Sequence, residues 1–211
     1  MSTQEASLDV QSMMETSTKV FILEVMGRHA GWIAGSSALA KQDKSDAPHI
    51  ILLPEVIFNQ TAFLKKVKDT VNKLGYCVVV ASEGIKNNRN KFLAESDLKD
   101  DFGHAQLGGD APFLSNLISQ KLKLKNHWAV ADYLQRSARH ASSKVDLEQA
   151  EAVGKYAVRY AVEGMNGVMP VIKRKKTSRY SWEIIPAKLS KIANVEKKLP
   201  KSFITKDGFG I

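Results

Sequence analysis

Three segments of the chain end an apolar run in side chains that bind anions or sugars. Val20-Phe21-Ile22-Leu23-Glu24-Val25-Met26 breaks at Gly27 and presents Arg28. Cys77-Val78-Val79-Val80-Ala81 runs into Ser82-Glu83-Gly84, and Trp128-Ala129-Val130-Ala131 runs into Asp132-Tyr133-Leu134-Gln135-Arg136-Ser137. A guanidinium offers a fixed fork of donors that matches phosphate or carboxylate. A carboxylate accepts from sugar hydroxyls, and a glycine lets the backbone turn and approach a ligand closely. Two arginines, a carboxylate and a tyrosine on three such edges fit an anionic sugar better than a nucleic acid.

The elements that must position these residues follow from the pattern. Short, β-branched apolar runs read as buried parallel strands, and ligands of open α/β sheets collect beyond their carboxyl ends. Strands are predicted near Val20 to Val25, His49 to Leu53, Cys77 to Ala81 and Trp128 to Ala131. Helices are predicted near Ala30 to Ala40, Thr61 to Leu74, Pro112 to Leu122 and Leu147 to Glu163. In the last, Ala150, Val153, Ala157 and Ala161 follow helical spacing as a core face, while Glu148, Glu151, Lys155 and Arg159 face water. This alternation predicts an α/β fold, a mostly parallel sheet flanked by helices. After Gly164, Val168 to Lys173 and Tyr180 to Ile185 read as two more strands, an antiparallel edge near the C-terminus. The segment from Ile85 to Gly109 reads as the longest loop, with Asn87, Asn88, Asn90, Asp97, Asp100 and Asp101 in a lid or binding element. Asp110, ahead of Pro112, is expected to be a helix N-cap.

Composition narrows the function classes. The chain has 211 residues and a formal charge of +9, which suits nucleic acid, anionic membrane or phosphorylated ligands. Its densest basic runs, Lys121-Leu122-Lys123-Leu124-Lys125 and Lys173-Arg174-Lys175-Lys176, are expected to be solvated surface; a basic nucleic-acid-binding domain is the reading they would support otherwise. The single cysteine, Cys77, lies inside a predicted strand and excludes an internal disulfide. No basic-then-apolar leader and no run long enough to cross a bilayer is present, so a cytoplasmic protein without a membrane partner is expected. His29, His49, His104, His127 and His140 lack metal-ligand spacing, Ser142 and Ser143 lack a nucleophile elbow, and Trp32, Trp128 and Trp182 are expected in the core.

The segments Glu24-Val25-Met26-Gly27-Arg28-His29-Ala30-Gly31-Trp32, Ser82-Glu83-Gly84 and Tyr133-Leu134-Gln135-Arg136-Ser137 resemble, in order and spacing, the fructose 6-phosphate half of 6-phosphofructokinases. The resemblance runs from about Leu8 to Ile185. Gln106-Leu107-Gly108-Gly109 and Arg139-His140-Ala141-Ser142-Ser143-Lys144 resemble the pyrophosphate-dependent branch more than the ATP-dependent one. It implies that Met26 and Gly27 line the sugar site, that Arg28 acts catalytically on the phosphoryl group in transfer, and that Glu83 holds sugar hydroxyls. Tyr133, Leu134, Gln135 and Arg136 would form the 6-phosphate segment. Two further phosphate-binding arginines, which the family supplies across a subunit boundary, fall here at Lys19 and His127.

The family places its diphosphate-binding glycine loops and catalytic aspartate in a segment that this sequence does not contain, so the chain resembles a carboxyl-terminal half. Composition predicts a polar N-terminal segment over 1–18 and a loosely packed basic tail over 191–211, and the resemblance implies a sugar-phosphate-binding half over 19–190 between them. It implies phosphoryl transfer from pyrophosphate to the 1-hydroxyl of fructose 6-phosphate, a step of glycolysis. The alternatives are ATP as donor, or a catalytically silent sugar-phosphate-binding fragment that needs a partner chain. Magnesium (Mg2+) is implied with no ligand in this chain, as are a homo-oligomer and a separate N-terminal half.

Overall fold

The computed structural model describes residues 1–99, 105–107 and 109–211. In chain order its elements are α1 (Ser2–Met13), β1 (Val20–Val25), α2 (Trp32–Ser36), β2 (Ile50–Leu52), α3 (Gln60–Leu74), β3 (Cys77–Ser82), β4 (Glu95–Lys99), β5 (Ala105–Leu107), α4 (Asp110–Leu122), β6 (Asn126–Val130), α5 (Leu134–Ser137), α6 (Lys144–Val162), β7 (Val168–Arg174) and β8 (Trp182–Lys188). They fall into two units: Met1–Ser137 with Lys197–Ile211, and Ala138–Glu196. This division replaces the expected single stretch over 19–190 with a tail after it.

The first unit is built on a four-stranded parallel sheet in the order β2-β3-β1-β6. Alternation in β1 sends Val20 and Ile22 to one face, and Leu23 and Val25 to the other. The first face packs with Ile50, Leu52, Cys77 and Val79 beneath α3 and α4, whose Phe63, Val67, Leu114 and Ile118 are fully buried. Burial of Phe63 alone contributes about 2 to 3 kcal/mol. On the second face, Leu23, Val25, Ile51, Leu53 and Val80 pack with Ala34 and Leu199. The predicted strands and the position of Cys77 in the core match these observations.

Local chemistry sets the helix ends. Asn59 caps α3 by accepting the Ala62 N–H at 3.0 Å, and the helix stops at Gly75 in the left-handed region. The helix predicted over Ala30 to Ala40 is only one turn of α-helix, α2, followed by a 3-10 turn over Ser37–Ala40. Glycines at 31 and 35 weaken helix propensity there.

Several expectations are corrected. The polar segment 1–18 contains α1, whose Thr3, Ala6, Ser7 and Val10 are buried at helical spacing. Its inward face is small and hydroxyl-bearing, so a search for apolar periodicity misses it. Ser7 Oγ lies 3.5 Å from the Tyr76 hydroxyl. The tail is not loose. The Ile51 N–H donates to the Phe209 carbonyl at 2.9 Å, Leu199 is buried, and the Trp32 indole N–H donates to the Lys197 carbonyl at 2.6 Å. The tail thereby covers the edge strand β2, whose backbone groups need a partner. Trp32 and Trp128 are exposed instead of buried, at 38% and 47%; Trp128 stands on the open edge strand β6. Part of the expected long loop pairs as the antiparallel strands β4 and β5. Its residues 100–104 and 108, among them Asp100, Asp101 and His104, lie outside the described residues.

The second unit consists of α6 and the antiparallel pair β7–β8. The antiparallel strands predicted after Gly164 are present as a separate two-stranded sheet and not as an edge of the main one. Ser143 caps α6 through the Asp146 N–H at 3.0 Å. Among the described residues no helix is long and apolar enough to cross a membrane.

Candidate functional site

Because β3, β1 and β6 are adjacent and parallel, their carboxyl ends share one edge of the sheet. The register pairs Val25 with Ser82 and Glu24 with Val130, so Gly27, Glu83 and Ala131 start within about 10 Å of one another. That juxtaposition brings the Met26-Gly27-Arg28, Glu83 and Tyr133-to-Arg136 segments to one place. Fixed hydrogen bonds hold it. The Glu83 N–H donates to the Val25 carbonyl at 3.0 Å, and the Ala131 N–H donates to the Glu24 carbonyl at 3.0 Å.

Gly27 sits at φ 142°, a conformation that L side chains rarely adopt. Its N–H donates to Glu83 Oε1 at 3.1 Å, and its carbonyl accepts from Ser82 Oγ at 2.5 Å. Glu83 is thereby tied to the backbone beside Arg28. Gly84 is needed for a different reason: a Cβ there would lie 1.8 Å from the Arg28 carbonyl oxygen. Across the edge, α5 carries Arg136, whose guanidinium lies 4.3 Å from the Tyr133 ring centroid. Tyr133, Leu134 and Arg136 are exposed, while Met26, Arg28, Glu83 and Gln135 are half-buried.

Beneath this edge is a feature that the sequence reading does not assign. Glu24 is buried in β1, and its carboxylate accepts the Ala111 N–H at 2.7 Å and the Gly109 N–H at 3.2 Å. A strand carboxylate therefore occupies the amino-terminal end of α4, where free amides and the helix dipole favour negative charge. Burial raises the Glu24 pKa, the amides of α4 oppose that, and Glu83 adds to it. The expected N-cap role of Asp110 is corrected here. Gly109 is the N-cap with no side-chain bond, and Asp110 is the first helical residue. Glu24 takes the capping amides, and among the described residues no hydrogen bond of ordinary geometry reaches the Asp110 oxygens. Burial, then the charge of Glu24, pushes the Asp110 pKa up to about 8. The available signal was a single acidic residue in the middle of a buried strand.

Lys19 and His127 do not come to this edge within one chain. Lys19 precedes β1 and donates its side-chain ammonium to the Met14 carbonyl, while exposed His127 pairs in register with Phe21. Eight residues of extended chain put Lys19 about 25 Å from Gly27. Among the described residues no group of three or more histidine, cysteine, aspartate or glutamate side chains is placed to hold a metal. Glu24 and Asp110 do not fit one: Glu24 spends its oxygens on the amides of α4, and both side chains are buried.

A four-stranded parallel sheet with arginine, glutamate and tyrosine side chains beyond the carboxyl ends of its strands defines an α/β protein, and the chain belongs to the phosphofructokinase family, whose model matches residues 2–161. It is 59% identical over 211 residues to a pyrophosphate–fructose 6-phosphate 1-phosphotransferase of Xanthomonas campestris pv. campestris (strain B100), covering 100% of this chain and 50% of that protein. A protein of the same name from Halomonas elongata is 55% identical over 210 residues, with the same coverage. The crystal structure of a pyrophosphate-dependent phosphofructokinase from Marinobacter aquaeolei superposes with a TM-score of 0.86 at 52% identity, over 100% of this chain and 49% of that one. The chain spans about half the length of the curated relatives it matches.

Proposed function

We propose that this chain is the sugar-phosphate-binding half of a pyrophosphate-dependent 6-phosphofructokinase, which moves a phosphoryl group from pyrophosphate to the 1-hydroxyl of fructose 6-phosphate. The observation that carries the reading is the shared edge of β3, β1 and β6, where Arg28, hydrogen-bonded Glu83 and the Tyr133–Arg136 pair emerge together. In this reading Arg136, stacked on Tyr133, takes the 6-phosphate with its fork of donors. Leu134 and Gln135 belong to the same segment. Glu83 and the backbone around Met26 and Gly27 hold the sugar, and Arg28 neutralises charge on the phosphoryl group as it moves. The high identity to relatives named for pyrophosphate supports that donor over ATP.

In this reading Glu83, which accepts the Gly27 N–H, holds the sugar and does not act as base on the 1-hydroxyl. That base, and the Mg2+ that would neutralise the diphosphate, belong to the half that the relatives carry in addition. A second copy of the chain is the expected source of Lys19 and His127 for the same sugar phosphate. The cytoplasm, where glycolysis runs, is the expected compartment.

Calorimetric titration with fructose 6-phosphate tests the reading directly. Arg136→Ala is expected to weaken binding by about 1 to 3 kcal/mol, roughly 5- to 150-fold. Unchanged affinity refutes the site. A second reading, a silent binding fragment, is favoured by the half-length match and is separated by assaying fructose 1,6-bisphosphate formation with pyrophosphate and with ATP. Turnover by the chain alone excludes it.

A further inference from the structure

The turn that carries Arg28, residues 28–31, lies between β1 and α2 and belongs to neither strand nor helix. A guanidinium that meets a phosphoryl group in transfer has to keep its aim, because small misplacements of a reacting or stabilising group are costly. Backbone without helix or strand bonding keeps its position only where other groups hold it. At the sugar edge the turn is held at Gly27, through Glu83 Oε1 and the Ser82 hydroxyl. At its far end it is held at Gly31, whose N–H donates to Glu55 Oε1 at 2.9 Å.

The surroundings of Glu55 suit that task. It follows β2 in the four-residue turn Leu53-Pro54-Glu55-Val56, with proline at the second place and the Val56 N–H donating to the Leu53 carbonyl at 3.1 Å. Oε1 also accepts the Leu199 N–H at 2.8 Å, and a carboxylate oxygen can take two amides because it has nothing to donate. The other oxygen is buried, and among the described residues no hydrogen bond of ordinary geometry reaches it. It lies against Gly31, where a Cβ would stand 2.7 Å from Oε2 and 2.6 Å from Leu53 Cδ2. Glu55 therefore grips the glycine from two sides, by a hydrogen bond and by contact. The tail has anchors apart from Glu55, in buried Leu199 and in the Lys197 carbonyl that accepts the Trp32 indole N–H.

We propose that Glu55 is a positioning residue for Arg28: by fixing Gly31 it sets where the guanidinium stands at the reacting end of the sugar. The inference rests on the reading of Arg28 as the group that neutralises the phosphoryl group in transfer. Fructose 1,6-bisphosphate carries that phosphoryl group and fructose 6-phosphate lacks it. The aim of Arg28 is therefore read in the ratio of the two affinities, whereas a general loosening of the fold lowers both.

Calorimetric titration of the 211-residue chain with each sugar phosphate measures the ratio. Glu55→Ala is expected to weaken fructose 1,6-bisphosphate about five- to tenfold and to leave fructose 6-phosphate within about twofold. Arg28→Ala is expected to shift the ratio the same way, and the double variant to bind the bisphosphate no more weakly than Arg28→Ala, since both changes remove one interaction. Glu55→Gln keeps Oε1 as an acceptor and is expected to restore the ratio. Leu199→Ala loosens the tail without touching the Gly31 bond and is expected to leave the ratio unchanged. If Glu55→Ala does not fold, Glu55→Asp, which draws the carboxylate back by one methylene, carries the same test. The proposal is overturned if the Glu55 variant lowers neither affinity or both equally, if its loss adds in full to that of Arg28→Ala, or if Leu199→Ala reproduces it. A wild-type chain that binds neither sugar phosphate removes the sugar site and this proposal with it. Binding of both, with the ratio moved by Arg28→Ala but not by the Glu55 variant, removes this proposal only.

Discussion

Replacing Asp110 by Asn should make the protein more stable, by an amount that depends on pH. Asp110 has no exposed surface. Burial first, then the carboxylates of Glu24 and Glu83, push its pKa from 3.8 to about 8, against the pull of the backbone amides of Ile85 and Ala94. Below pH 3.8 both folded and unfolded chains are protonated there, and the stability associated with the group is fully present. Between 3.8 and 8 the unfolded chain releases the proton while the folded one keeps it, so stability falls by about 1.4 kcal/mol per pH unit. At pH 7 the accumulated loss is about 4 kcal/mol, and it levels off above the folded pKa. Asparagine keeps the shape of the protonated acid without the charge, at the cost of placing a second donor hydrogen in the same apolar site. Asp110→Asn is therefore expected to gain about 2 to 4 kcal/mol at neutral pH, a gain that shrinks toward pH 4. Urea unfolding of both proteins across this range measures it. A gap that is absent at pH 7, or constant with pH, refutes the electrostatic account.

Two further outcomes are expected. Gly84→Ala places a Cβ 1.8 Å from the Arg28 carbonyl oxygen and 2.5 Å from its carbon; with backbone on both sides, the cost is about 3 kcal/mol or more, and fructose 6-phosphate affinity measured by calorimetry falls with it. His49 accepts the Val78 N–H on Nδ1 at 2.9 Å, and burial lowers its pKa from 6.5 to about 4. The folded chain thus resists protonation, and stability is lost as pH falls from 6.5 through 4, by about 3 kcal/mol in total. His49→Gln is expected to flatten that acid limb in thermal melts; an unchanged limb places its origin elsewhere.

How far the sequence led differs between elements for physical reasons. Strands β1 and β3 and helix α3 were legible because their apolar runs, asparagine cap and glycine stop are local signals that tertiary packing only reinforced. The α1 helix was hidden because Thr3, Ala6 and Ser7 bury hydroxyls and methyls that no hydropathy pattern flags. Asp110 was assigned a cap from its neighbours, yet the cap comes from Glu24, 85 residues away at its nearest amide. The tail looked loose for want of apolar density, although its backbone carbonyl at Phe209 closes an edge strand.

At the candidate site, residue types alone named Arg28, Glu83, Tyr133 and Arg136, because a fork of donors, a carboxylate and a phenol each carry their chemistry with them. Their convergence depended on strand order, β3-β1-β6, which is fixed by long-range backbone pairing that leaves no trace in any single segment. Likewise the period of α6 shows which side of the helix avoids charge, but only the fold reveals that Leu147 and Val158 on that side are exposed. Local sequence specifies what a surface prefers to touch; the path of the whole chain decides whether a partner is there.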